Sequence, residues 1–325
     1  MEKRFRINGS VHAFRKEINM LELITGKFLS SDQKNEIFYR IYEPQSPRAI
    51  IQISHGMCEH TARYSDHAEF FATQGFILAG NDHLGHGRTA KDTDGLGYIG
   101  NADFLVDDVA AMTDLLHTRY PNLPIFLLGH SMGSFILRDY MTKYSDKISG
   151  AIVSGTAGPE SPTALGDLVA ATIGLFKGEY HRSKLLFKLS NGSYSKSFGK
   201  DAPITAWLSS VERVGEKYQN DDRCGFIFTV NGYRALFSLL GRVSKTSWAK
   251  KVPRELPVLM ISGEDDPVGG FGHGVRKIHE RLCRANLTDL TLKMWAGGRH
   301  ELLNEAEHIK NDVYKTVTDW INERM

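Results

Sequence analysis

The sequence predicts an α/β fold: a mostly parallel central sheet flanked by helices and carrying one large helical insertion. Three observations predict it. Short β-rich apolar runs alternate with helical stretches of roughly ten to fifteen residues, the rhythm of βαβ crossovers. That rhythm stops between residues 156 and 254 and then resumes with a buried strand. One strand-to-helix junction reads GHSMG, Gly129 to Gly133, with glycines on both sides of a small polar residue.

With 325 residues, the chain has the size of one large α/β domain plus an insertion. Hydrophobic residues make up 41% and charged residues 24%, enough to build a core and dress its surface. The 40 basic and 38 acidic residues are interspersed, leaving a net charge of +2 and no single-sign field for a polyanion to follow. Nucleic acid is excluded as a first partner. Cys58, Cys224 and Cys283 have no ligand spacing, and their odd number argues against a disulfide framework. The arm MEKRFRINGSVHAFRKEINM is basic but broken by charges, so it lacks the apolar stretch of a secretory signal. No later run reaches the roughly 18 apolar residues of a membrane span. These features predict a cytoplasmic setting, with contact at a lipid surface through an apolar rim left open.

The elements follow in order. Residues 1–25 read as an N-terminal extension. EIFYRIYEP alternates as a strand with one exposed face, and AIIQIS reads as a buried strand. Tyr64 to Thr73 reads as a helix and Phe76 to Ala79 as a strand. After a glycine-rich loop, Leu105, Val109, Met112 and Leu116 mark one face of a helix, followed by the strand IFLLG. A helix is expected from Met132 to about Tyr144, then the strand ISGAIVSG. Residues 156–254 are too long for a bare loop, so they are expected to form a helical cap inserted between core segments 26–155 and 255–325. PVLMISG, a helix through Val275, Ile278 and Leu282, the strand LTLKMWAG and a helix from about Glu305 to Asn322 complete the core.

GHSMG fits G-x-S-x-G, the strand-turn-helix motif that projects a serine hydroxyl from the top of a sheet. Ser131 is thus the candidate nucleophile. A hydroxyl needs a base to take its proton, and the base needs a carboxylate to fix its tautomer. In the chain order Ser, acid, His, His300 follows the last strand and is the expected base. GEDDPV offers Asp266 as the preferred acid and Asp265 as its competitor; Asp289 reads as a turn residue. Negative charge developing on the substrate carbonyl calls for two N–H donors. Met132, after the nucleophile, and Met57, in the loop after AIIQIS, are the expected oxyanion pair. Glu59 and His60 are expected to brace that loop.

His55, His60, His67, His83 and His86 invite a metal reading, but the surrounding glycines indicate a tight loop whose polar side chains bond backbone groups. No metal and no organic cofactor are expected. Several motifs together resemble the monoacylglycerol lipase and lysophospholipase group of α/β-hydrolases. They are His55-Gly56-Met57-Cys58-Glu59-His60 with Arg63-Tyr64, Asp82 to Thr89, GHSMG, WLSS from Trp207 to Ser210 and CGFIFT from Cys224 to Thr229. Thr89 stands where that group often has serine. The likeness runs from about Gly26 to the C-terminus. It implies an α/β-hydrolase fold, the triad Ser131, Asp266 and His300, and ester hydrolysis of monoacylglycerols or lysophospholipids through an acyl-enzyme. A short-chain carboxylesterase is the enzymatic alternative; peptide or amide cleavage and a non-catalytic binding protein are further ones. In the insertion, Leu165, Leu168, Val169, Thr172, Phe176, Phe226, Phe228, Tyr233, Leu236, Phe237 and Leu240 suit either a small core of its own or an acyl channel. RVSKTSWAKK suits a water-facing surface or a site near phosphate head groups.

Overall fold

A computed structural model describes residues 21–159, 163–190, 192 and 194–325; the basic arm of the first twenty residues lies outside them. Among the described residues, eight strands form one sheet: β1 (Glu22–Leu29), β2 (Glu36–Glu43), β3 (Ala49–Ser54), β4 (Phe76–Asn81), β5 (Ile125–His130), β6 (Gly150–Ser154), β7 (Val258–Gly263) and β8 (Leu290–Trp295). The order is β1-β2-β4-β3-β5-β6-β7-β8. The β1–β2 and β2–β4 pairings are antiparallel, and all pairings from β4–β3 to β7–β8 are parallel. The sheet therefore begins at Glu22, ahead of the boundary expected after residue 25. β1 pairs with β2 along its whole length, yet its outward residues, including Leu23 and Leu29, are exposed. An edge strand of this kind carries a weak apolar pattern.

Alternation sorts the strand residues onto two cores. Ile50, Ile77, Leu127, Val153 and Met260 share one core with α2 (Ala102–Arg119), α3 (Met132–Tyr140) and α9 (His273–Arg284). Ile51, Leu78, Leu128, Ile152 and Ile261 face the other, covered by α1 (Ser65–Thr73) and α10 (Glu307–Asn322). β3 and β5 are neighbours, but the helices that follow them, α1 and α3, lie on opposite faces. Their C-terminal ends thus part to form a crevice, the place where open α/β sheets hold ligands.

Between β6 and β7 run five further helices among the described residues: α4 (Thr163–Lys177), α5 (Lys184–Ser190), α6 (Glu212–Gln219), α7 (Val230–Val243) and α8 (Thr246–Ala249). Thr229 caps α7, its hydroxyl accepting from Gly232 N–H at 3.1 Å. Phe228 and Tyr233 are buried as core, while Leu168 and Phe176 on α4 are exposed. In the basic run, Arg242 pairs with Asp103 and Asp139, and Trp248 is buried with its indole N–H on the Arg138 carbonyl at 2.6 Å. Those two side chains are structural, whereas Lys250 and Lys251 face water.

α3 packs very closely on the end of β3. A Cβ placed on Gly133 would lie 1.8 Å from the Ser54 carbonyl oxygen. Gly133→Ala is accordingly expected to cost about 3 kcal/mol or more, read as a fall in the urea midpoint at unchanged slope.

Candidate active site

β5 ends in His130, and α3 starts at Met132, so Ser131 occupies the single residue between strand and helix. It sits at φ 53° and ψ −119°, a strained conformation for a residue with a side chain. Its N–H donates to the Ser154 carbonyl at 3.0 Å. A Cβ on Gly129 would come within 2.4 Å of the Gly133 carbonyl oxygen, which accounts for the outer glycines of GHSMG. The Met132 N–H lies in the first turn of α3, where helix geometry supplies no internal acceptor.

The loop after β7 carries Asp266, and the loop after β8 carries His300. Both are buried, and His300 Nδ1 lies 2.9 Å from Asp266 Oδ2. The other Asp266 oxygen accepts from Val268 N–H at 2.9 Å, so the carboxylate is held at both ends. Asp265 points to solvent, and Asp289 pairs with Arg324 at 2.6 Å. His300 Nε2 is buried without a hydrogen-bond partner among the described residues, and Ser131 and His300 line one cavity.

Residues 55–60 run from the end of β3 past Ser131. A Cβ on Gly56 would lie 3.1 Å from the Ser131 Cβ, which brings the Gly56–Met57 backbone against Ser131. Gly56 N–H donates to Glu59 Oε1 at 2.5 Å. Arg63 bonds Glu59 Oε2 at 2.7 Å and grips both oxygens of Glu301 at 2.8 Å. Burial pushes Glu59 up, but Arg63 and His130 outweigh it and hold the carboxyl well below the usual range. His60 turns the other way, toward Asp221 of the insertion at 2.9 Å. Gly225 N–H donates to the Cys58 carbonyl at 3.1 Å, and Cys58 Sγ donates to the Phe226 carbonyl at 2.9 Å. The insertion thereby clasps the loop.

The same insertion holds the histidine loop. Trp207 packs against His300 with ring centres 4.8 Å apart and ring planes tilted by 43°, its carbonyl accepting from His300 N–H at 3.3 Å. Ser209 and Ser210 bond Asn304 and Glu305. WLSS and the residues after His300 are one contact. In the glycine-rich loop, the Thr89 hydroxyl donates to the Asp82 carbonyl at 2.6 Å and accepts from Phe38 N–H at 2.9 Å, bonds a serine would also make.

His55, His83 and His86 are buried side by side, bonded to one another, to Ser54 and to nearby carbonyls. Burial lowers His55 to about 3 and His86 to about 4, so both are neutral braces. A different trio, His60, Asp221 and Cys224, brings its ligand atoms within 4.8 Å of one another; within it, His60 and Asp221 are hydrogen-bonded.

Above Ser131 lies a cavity of about 680 Å³, in the range of small-molecule sites. Val169, Phe187, Leu236, Phe237 and Leu240 from the insertion line it. Part of the apolar set expected in the insertion thus faces the cavity, while Phe228 and Tyr233 are buried in the core shared with the sheet, α2 and α3 rather than in a separate core of the insertion. Sequence reasoning missed Trp207 and His130, since neither has an obvious partner within its own motif.

A family model described as "Serine aminopeptidase, S33" matches residues 45–307. The chain belongs to that family. This S33 member is 28% identical to the monoglyceride lipase of Homo sapiens over 295 residues, covering 89% of this chain and 87% of that one. It is also 28% identical to the monoacylglycerol lipase of Mycolicibacterium smegmatis, covering 88% and 92%. Among solved structures, a thermostable carboxyl esterase from Bacillus coagulans in complex with glycerol superposes with a TM-score of 0.86 at 28% identity, covering 94% and 99%. The chain is a serine hydrolase of the esterase and lipase class with an α/β-hydrolase fold. No helix among the described residues is long and apolar enough to cross a membrane.

Proposed function

We propose that this S33 hydrolase cleaves the ester bond of monoacylglycerols, with residues 156–254 acting as a cap that receives the acyl chain. The observation that carries this reading is the composition of the cavity above Ser131. Its walls are largely aliphatic and aromatic, and among the described residues lining it there is no lysine or arginine. An apolar chain gains roughly 0.8 kcal/mol per buried methylene, while an uncharged glycerol head needs no cation. A phosphate head group would find no ammonium or guanidinium there, and the His130 ring is engaged by Glu59. Glu59 and Glu301, the acids at its edge, are both engaged by Arg63. A substrate ammonium, as an aminopeptidase requires, would find neither free.

In the proposed reaction, His300 takes the Ser131 proton as the hydroxyl attacks the ester carbonyl, and Asp266 steadies the resulting imidazolium. The Met57 and Met132 N–H groups receive the oxyanion. His300 then gives its proton to the departing glycerol oxygen, and water activated by the same ring releases the fatty acid. Leu168, Leu175 and Phe176, exposed along α4, support transient contact with micelles or a bilayer.

The test is a panel of monoacylglycerols of graded chain length, matching lysophospholipids, short-chain esters and aminoacyl amides. Monoacylglycerol kcat/KM is expected to climb with each added methylene, by at most about fourfold per step, until the cavity is full. A preference for acetyl or butyryl esters, for lysophospholipids or for amides would overturn the assignment.

A further inference from the structure

His130 lies between Gly129 and the candidate nucleophile, and no step above uses it. Its imidazole is buried, with Nδ1 3.1 Å from Glu59 Oε1 and Nε2 3.4 Å from the His300 carbonyl oxygen. A backbone carbonyl only accepts, and so does an ionised carboxylate. That Glu59 oxygen also receives the Gly56 N–H and, at 3.2 Å, the Tyr64 hydroxyl. With an acceptor opposite each nitrogen, the ring satisfies both only as an imidazolium.

The charge count points the same way. Glu59 and Glu301 carry two negative charges, and Arg63, which grips both, carries one positive charge. Among the described residues, the charged and titratable groups around His130 are Glu59 from the loop after β3, Arg63 and Tyr64 from the 3-10 turn Thr61–Tyr64 that leads into α1, and Glu301 and His300 from the loop after β8. His55 and His67 nearby are neutral, driven by burial to about 3 and about 4. Among the described residues named here, His130 is the group left to cancel the surplus negative charge. With it charged, His300 faces a neutral cluster.

We propose that His130 is a fixed imidazolium completing a neutral cluster with Glu59, Glu301 and Arg63, and that this cluster sets the Gly56–Met57 backbone for the oxyanion. His130 is a positioning residue: it bonds Glu59 and a backbone carbonyl, packs beside the His300 ring and exchanges no proton in the proposed steps. The inference rests on the proposed function, because the loop it positions serves that reaction. Burial pushes His130 down, but the hydrogen bond and charge of Glu59, with Glu301 behind, raise it above the ordinary histidine value of 6.5. A raised value means the cluster is complete below about 6.5 and fails as pH rises through the folded value. The loop therefore loosens on the alkaline side.

Two measurements test this. In histidine-labelled protein, nitrogen NMR is expected to show both His130 ring nitrogens protonated at pH 7, and Glu59→Gln is expected to lower the titration midpoint. The signal is assigned by its loss in His130→Asn, or in His130→Gln if the first variant does not fold. In the second measurement, His130→Asn is expected to lower kcat by roughly 10-fold to 100-fold at little change in KM, less than outright loss of an oxyanion donor. Wild type is expected to show an alkaline limb in its kcat profile, and His130→Asn to lack it. A neutral His130 tautomer at pH 7, or an unchanged alkaline limb in the variant, would overturn the proposal. The NMR readout needs no substrate, so a doubly protonated His130 in a protein that ignores monoacylglycerols would sink the functional reading and leave the charge assignment standing.

Discussion

Ser131→Ala is expected to lower kcat by roughly 10⁵-fold to 10⁶-fold on every substrate the wild type turns over. The change removes the only atom proposed to bond the acyl carbon, and little else. Alanine occupies φ 53° at a strain similar to that of serine, so the thermal midpoint should barely move. Residual turnover above the uncatalysed rate is expected from the remaining donors and substrate binding. The matching measurement is labelling by a fluorophosphonate: one adduct per wild-type chain and none in the variant. Undiminished turnover, or an adduct that persists, would remove Ser131 from the mechanism. Ser131→Gly offers a companion reading, because glycine accepts positive φ without strain. It should be equally inactive yet more stable by about 1 kcal/mol.

Asp266→Asn is expected to cost about 10⁴-fold in kcat with the fold intact. The substitution preserves shape in a buried site, and the Val268 N–H still finds an amide oxygen. What changes is the group facing His300 Nδ1, now 2.9 Å from a carboxylate oxygen. An amide nitrogen there donates rather than accepts, which forces the ring proton onto Nε2, the atom that must be bare to take the serine proton. An amide oxygen there would keep the tautomer but lose the charge that steadies the imidazolium. Asp265→Asn is the comparison. Its side chain faces solvent, so stability should shift by no more than about 0.5 kcal/mol and kcat by about twofold at most. Equal losses in the two variants would reopen the choice of acid.

Much of this molecule was legible because the relevant physics is local. A buried parallel strand needs a nearly continuous apolar run, as in AIIQIS and PVLMISG, and every residue of β3 and β7 is buried, Gln52 with its amide hydrogen-bonded to α2. A turn as tight as that at Ser131 needs glycines two residues to either side, and GHSMG displays them. Where the local signal was weak, the reading blurred. β1 is a half-solvated edge strand, so its first residues carry no apolar run that separates them from an extension. The helix after Ser131 ends at Tyr140 and gives way to turns before the Tyr144 expected from composition.

The sequence by itself determined the alternation of strands and helices, the strained serine turn, the interruption of the sheet by a long helical segment and the small set of residues able to act as acid, base and oxyanion donors. Each of these follows from the side chains of near neighbours in the chain. Only the tertiary structure decided which acid meets His300, that Trp207 packs on that ring, that His60 reaches Asp221 instead of its own loop, and that Arg63 joins Glu59 to Glu301 across 238 residues of sequence. Those pairings depend on where distant loops come to rest at one edge of the sheet. A buried charge must find its partner wherever the chain's path brings one within about 3 Å, and that path is a property of the whole fold.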